Sequence, residues 1–255
     1  MIITLAFQDL IERHLREKSP LLQMLIGPRQ VGKTTAAKSI FTKWQGPKIM
    51  ASADSPAPPK PDWIRSHWEQ ARRHGDGTLL VIDEIQKVPG WSEQIKILFD
   101  DDRGRRDLRI LLLGSSSLFL QRGLSESLAG RFELVKAPHW NFSDFSKAFG
   151  WDFQRYLRFG AYPGAVAFAD DEQRWRSYIL DSIIEPVLGK DILGQQPVSN
   201  PALFRQTFEL AVQYPAQIIS LQKILGQLQD RGNAATIKHY LNLLEQSFLI
   251  RTLQK

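Results

Sequence analysis

The sequence contains no cysteine. That excludes a disulfide framework, thiol catalysis and cysteine-bound zinc, and it fits a reducing compartment. The five histidines show no H-E-x-x-H or comparable ligand spacing. The uncharged runs, such as Ile110 to Gln121, are far shorter than the ~18 to 20 residues of a membrane helix. Met1 to Phe7 is apolar, but it has no basic flank or cleavage-like site and runs into Gln8, Asp9 and Glu12, so no signal peptide is read. No Ser stands in a G-x-S-x-G elbow, which removes a Ser-His-Asp hydrolase. No N-K-x-D segment follows a strand, which favours adenine over guanine wherever a nucleotide is bound. These absences lead to the expectation of a soluble, cytoplasmic protein without membrane contact.

Of the 255 residues, 43% are hydrophobic, enough for one large domain or one core with smaller appendages. The net charge of +6 is compatible with nucleic acid, yet the Lys and Arg residues are spread along the chain. Their densest group, Arg103, Arg105 and Arg106, follows Asp100, Asp101 and Asp102, which offset it.

Leu21 to Ile26, Lys48 to Ala51, Thr78 to Ile82, Leu108 to Leu113 and Phe132 to Val135 read as strands, the most apolar of them as buried parallel ones. Helices are expected over Phe7 to Lys18, from Lys33, from an Asp62 cap, and over Trp91 to Phe99. This alternation predicts an α/β fold with a parallel sheet and ligands at the carboxyl ends of its strands. After Pro138 the strand signals vanish and helices follow, near Asp152 to Phe159 and Glu172 to Ile184. Soft boundaries fall near 140 and 200.

Four motifs carry chemistry. Gly27-Pro28-Arg29-Gln30-Val31-Gly32-Lys33-Thr34 matches G-x-x-x-x-G-K-[ST], with a strand before it and a helix after it. Glycines let such a loop turn its backbone N–H groups onto a phosphate, and the following helix points its positive end at the same anion. Lys33 is expected on the β- and γ-phosphates and the Thr34 hydroxyl on Mg²⁺. Leu79-Leu80-Val81-Ile82-Asp83-Glu84 is a buried strand ending in two acids. There Asp83 is placed to hold Mg²⁺ and Glu84 to polarise the attacking water. An extra strand, Lys48 to Ala51, lies between the loop and Asp83 in sequence, which matches the ATPase class with an inserted strand. Ser115 in Gly114-Ser115-Ser116-Ser117 would sense phosphate or orient water, whereas Ser116 or Ser117 could serve as an ordinary helix cap. Arg131, or less readily Arg122, is a candidate finger for a neighbouring subunit's site, against a plain surface arginine.

Gly27 through Thr35, Val81-Ile82-Asp83-Glu84-Ile85-Gln86-Lys87-Val88-Pro89, and Leu113 through Ser117 followed by Gly123 through Arg131 resemble one family. It is the bacterial and archaeal AAA-type P-loop ATPases that carry a C-terminal domain of unknown function. Phe159-Gly160-Ala161-Tyr162-Pro163 and Asp181 through Glu185 resemble its helical region. The resemblance implies an AAA-like ATPase core over 1–140, a helical lid over 141–200 and a winged-helix segment over 201–255. It implies ATP and Mg²⁺ as ligands, with Thr35 closing the phosphate loop. Family members usually continue past this length, so a shortened member is expected.

From Pro201 the pattern suggests three helices and a terminal strand, Leu249 to Leu253. Phe204, Phe208, Ala211 and Val212 would form the apolar face of the first helix. Ser220 and Asn233 would cap the second and third. Ile237, Leu241, Leu244 and Phe248 would face the core. Thr236, Lys238, His239 and Asn242 could then meet base edges in a major groove. From Ala202 to Lys255, however, there are only six Lys and Arg against three Asp and Glu. A module that contacts an unidentified protein partner is therefore preferred to duplex DNA binding. The functions in competition are an ATPase that drives a conformational or assembly change within a homo-oligomer, a nucleotide-gated DNA-binding regulator, and a binding-only relic. Glu84 argues against the last, since a pure binder needs no base.

Overall fold

The computed structural model describes residues 4–17, 21–57, 59–115, 127–194, 196–228 and 232–253. The chain divides into two compact units, Met1–Asp170 and Asp171–Lys255.

The first unit is built on five parallel strands: β1 (Leu22–Gly27), β2 (Lys48–Ser52), β3 (Leu79–Asp83), β4 (Arg109–Ser115) and β5 (Phe132–Lys136), in the order β2-β3-β4-β1-β5. Every residue of β1, β3 and β4 is buried, as expected of continuous apolar runs covered on both faces. Alternation sorts each strand between two cores. Leu80, Ile82 and Leu112 pack with Ile64 and Trp68 of α3 (Trp63–His74) and Ile95 of α4 (Trp91–Asp102). Leu79, Val81 and Leu111 pack with Ile11 of α1 (Ala6–Arg16) and Ile40 of α2 (Lys33–Lys43).

The strand order decides where the site falls. The segment expected between loop and acid, β2, comes between them in sequence but forms the edge of the sheet beyond β3. The strand that separates β1 from β3 in space is β4. Its last residue, Ser115, therefore stands level with Gly27.

Asp62 occupies the position before α3, but its side chain makes no capping bond. Its backbone, at φ −92° and ψ 6°, is not extended as a capping residue's must be. Beyond β5, α5 (Phe142–Phe149) and α6 (Phe153–Phe159) are capped by the side chains of Asn141 and Asp152. They close on an aromatic cluster, with Phe145 and Trp151 buried and Trp140 and Tyr156 packed against them.

In the second unit, α7 (Glu172–Ser177) runs on in π-helical turns over Tyr178–Ile184 and Val187–Leu193. The helices α8 (Pro201–Gln213), α9 (Leu221–Leu225) and α10 (Ala234–Gln246) then pack together. Ser220 and Asn233 cap α9 and α10 as expected, accepting from the amides of Lys223 and Thr236.

Three expectations are corrected here. The buried stripe of α10 is Ile237, Tyr240, Leu243 and Leu244, not Ile237, Leu241, Leu244 and Phe248. Tyr240 turns inward because Phe204 receives its ring edge-on at 5.3 Å and the Asn200 amide donates to its hydroxyl. Leu249 to Leu253 is not a strand. Phe248 turns left-handed at φ 60°, and the chain folds back so that the amide and hydroxyl of Thr252 donate to Glu245. Val212, expected on the core face of α8, is exposed, and Leu203 and Thr207 are buried there instead. Among the described residues no helix is long and apolar enough to cross a membrane.

Candidate functional site

A cleft of about 370 Å³ opens at the carboxyl end of the sheet, lined by Arg29, Gln30, Gly32, Lys33, Thr34, Thr35, Glu84 and Ser115. Three segments that are distant in sequence meet there because β1, β4 and β3 are neighbours in that order.

The loop from Gly27 to Thr34 is held by its own lysine. The buried Lys33 Nζ donates to the carbonyls of Gly27 at 2.9 Å and Pro28 at 2.6 Å. Its two outer glycines serve different ends. Gly32 sits at φ 92°, open to glycine at no steric cost, and leads into α2. Gly27 answers a close approach: a Cβ there would lie 2.2 Å from the Ala137 carbonyl oxygen. Thus only one of the two is a glycine for loop curvature. Val31, within the loop, is fully buried, and its carbonyl accepts from Trp140 Nε1 at 2.9 Å.

Thr34 Oγ1 donates to Asp83 Oδ2 at 2.8 Å, joining the start of α2 to the end of β3. The other Asp83 oxygen accepts the Glu84 amide at 2.9 Å. Gln30 and Glu84 adopt left-handed backbone at φ 58° and 54°. For non-glycine residues this costs roughly 1–2 kcal/mol each, and such strain clusters at working sites. After Glu84, a 3₁₀ turn (Ile85–Lys87) is pinned by the buried side chains of Ile85 and Val88. It returns Gln86 to the cleft, where Nε2 donates to Glu84 Oε2 at 2.6 Å and to Ser115 Oγ at 3.2 Å.

The predicted residues Lys33, Thr34, Asp83, Glu84 and Ser115 are thus brought together. Arg131 is not among them. Its carbonyl accepts from the Leu22 amide at the start of β1, so it stands at the opposite end of the sheet. Its guanidinium grips Asp100 of α4 with two bonds, Nε to Oδ1 at 2.7 Å and Nη2 to Oδ2 at 2.8 Å. That contact holds the Asp100 carboxyl below its ordinary range and raises Arg131 further. Ser116, Ser117 and Arg122 lie outside the described residues.

Sequence reasoning gave no role to Gln86, Trp140 or Asp100. Gln86 falls inside the motif quoted around Asp83, but its reach to Ser115 depends on β4 lying next to β3. Asp100 was visible only as part of an acidic run.

A family described as "AAA domain" matches residues 19–146, and a "domain of unknown function (DUF8612)" matches residues 150–255. The uncharacterized protein Rv2008c of Mycobacterium tuberculosis is 30% identical over 94% of this chain and 51% of its own length. The uncharacterized protein MJ1544 of Methanocaldococcus jannaschii is 23% identical over 67% of this chain and 42% of its own length. The chain therefore spans about half the length of the curated relatives it matches. Its fold is similar to that of the Walker-type ATPase PABY2304 of Pyrococcus abyssi, with a TM-score of 0.63 at 16% identity, over 96% of this chain and 90% of that one. With its AAA domain spanning half its residues, on a five-stranded P-loop sheet, the chain belongs to the AAA-type P-loop ATPase family that carries a C-terminal domain of unknown function.

Proposed function

We propose that this chain binds ATP with Mg²⁺ in the cleft at the carboxyl end of the sheet and hydrolyses it to drive a conformational or assembly change. The observation that carries this reading is the convergence of Lys33, Thr34, Glu84 and Ser115 around one cleft, with Asp83 bonded to Thr34 at its floor.

The donors suit a small hard cation. Thr34 Oγ1 and Asp83 Oδ2 are oxygens already 2.8 Å apart, and Mg²⁺ takes few protein ligands, leaving positions for phosphate and water. When bound, the ion would neutralise charge on the β- and γ-phosphates. Lys33 would exchange its two carbonyl partners for phosphate oxygens, a charge-assisted contact. The loop amides from Arg29 to Gly32 and the start of α2 would hold the remaining anionic charge. Glu84 would accept a proton from water as the water oxygen attacks the γ-phosphorus. The bond to the β–γ bridging oxygen then breaks, giving ADP and inorganic phosphate. Ser115 would orient the γ-phosphate or the water. For the adenine ring of the nucleotide we propose an apolar cleft between α1 and the end of β5, lined in part by Phe7, Leu10, Val135 and Trp140. Trp140 lines this second cleft and is tied to the phosphate loop by its bond to the Val31 carbonyl.

Arg131 stands at the far end of the sheet from the site of its own chain, so a finger role for it would have to be in trans within a homo-oligomer. For 141–200 we propose a lid, and for 201–255 a winged-helix-like module that meets a protein partner. Ile218 is 97% exposed and Val212 49%, apolar groups that suit a protein surface better than a phosphate backbone. The DNA alternative keeps only Lys238, His239 and Asn242 as an exposed polar face on α10.

ATP turnover measured with sizing chromatography, with and without a non-hydrolysable analogue, tests the proposal. Turnover with an analogue-dependent change in size is expected. A chain that binds ATP and never releases phosphate would overturn the hydrolytic reading.

A further inference from the structure

We propose that Gln86 is a positioning residue for hydrolysis, fixing the Glu84 carboxylate and the Ser115 hydroxyl as one unit. The inference rests on the reading of Glu84 as base and goes beyond it by naming what orients that base.

Three observations carry it. First, one Gln86 amide nitrogen donates to both groups, at 2.6 Å to Glu84 Oε2 and 3.2 Å to Ser115 Oγ. A bond to Oε2 leaves Oε1 to face water. Second, Gln86 is itself held. The Lys87 and Val88 amides close the turn onto the carbonyls of Glu84 and Ile85, and the flanking side chains of Ile85 and Val88 are fully buried. Lys87 beside it pairs with Asp54. Third, Glu84 has left-handed backbone and its side chain is only half buried, so packing alone does not choose its rotamer. A neutral amide also suits the task. A cation there would pair with the carboxylate and weaken it as a base, and a carboxylate would repel it.

The bond geometry predicts a role in kcat and not in affinity, because Gln86 touches the base and the hydroxyl and does not line the phosphate loop. Gln86→Met keeps the length of the side chain and removes its donors. It should lower kcat by about 10- to 100-fold, the loss expected when a base is present but misplaced. KM, nucleotide affinity and melting temperature should stay within about twofold or a degree or two of the parent. Glu84→Gln should cut turnover by about 10²- to 10⁴-fold, and adding Gln86→Met to it should cost nothing more of the residual rate, since the two act as a unit. Gln86→Asn, which keeps the amide on a shorter arm, should recover part of the lost kcat.

If Glu84→Gln cuts turnover to that extent and Gln86→Met turns over at the parent rate, this inference is wrong and the base assignment stands. Equal losses in affinity and kcat, or a large drop in melting temperature, would make Gln86 a structural residue and overturn it as well. If Glu84→Gln keeps full turnover, the base assignment fails, and this inference fails with it.

Discussion

The two ends of the sheet are both rich in polar and charged groups, and they are organised in opposite ways. At the amino end the charges close on one another. The Asp102 carboxylate is buried and takes the Trp68 indole at 2.7 Å, with Arg72 Nε at 3.1 Å. Burial works against the Arg72 charge, but Asp102 and Glu69 more than offset this and raise it further. Arg109 donates to the Glu17 carbonyl and to Asp107, and Arg131 is clamped by Asp100. At the carboxyl end the polar groups turn toward a shared cleft, and two non-glycine residues carry strained backbone. A closed polar network stabilises a fold, whereas one aimed into a cleft is arranged for something that arrives.

That contrast can be broken by substitution. The largest effects are expected on turnover. Glu84→Gln should cut it by about 10²- to 10⁴-fold while nucleotide affinity is retained, as followed by phosphate release and a fluorescent-nucleotide titration. Wild-type turnover in this variant would remove the base from the site. Arg131→Ala tests whether the closed end is purely structural. If Arg131 is a finger, turnover falls about 10³-fold with near-normal affinity, and mixing with Glu84→Gln subunits restores part of it. If only the Asp100 clamp matters, turnover stays and just the acid stability changes. The sign follows from the depressed Asp100 carboxyl. Its contribution is present above the unfolded value, about 3.9, and is lost as pH falls through the lower folded value. Arg131→Ala should erase that acid limb in a pH series of thermal melts.

Next in size is Lys33→Ala, which should weaken nucleotide binding by about 100-fold or more, because a cation facing phosphate is lost. Trp68→Phe probes the closed end. It leaves a buried carboxylate one donor short and should cost about 1–3 kcal/mol in denaturant unfolding without touching nucleotide affinity. An affinity change there would mean that the two ends are not independent. The smallest effect concerns α10. Lys238→Ala should leave duplex titrations across a salt series unchanged, and a flattened steep slope would restore the DNA reading.

Legibility follows the same division. The buried strands announce themselves because covered parallel strands are continuous apolar runs. The loop and the two acids at the end of β3 are local in sequence, so their placement could be read directly. Relations that depend on strand order could not. The pairing of Gln86 with Ser115 needs β4 beside β3, and the Asp100–Arg131 clamp joins α4 to the residue just before β5. In α10, spacings of three and four both fit a helix face. The contacts of Tyr240 with the Phe204 ring and the Asn200 amide select the stripe through Tyr240. The terminal strand failed for a related reason: β-propensity in Leu249 to Leu253 competes with the bonds that Thr252 makes to Glu245.

The bond from Trp140 to the Val31 carbonyl ties the phosphate loop to the aromatic cluster of α5 and α6. An indole stacked at 5.8 Å on Phe149, with its N–H anchored in that loop, is a native fluorophore wired to the loop's conformation. Any ligand that rearranges Val31 must alter the hydrogen bonding of this ring, and with it the wavelength of its emission. Trp140 is one of seven tryptophans, so its signal is the part of the emission that a Trp140→Phe exchange removes.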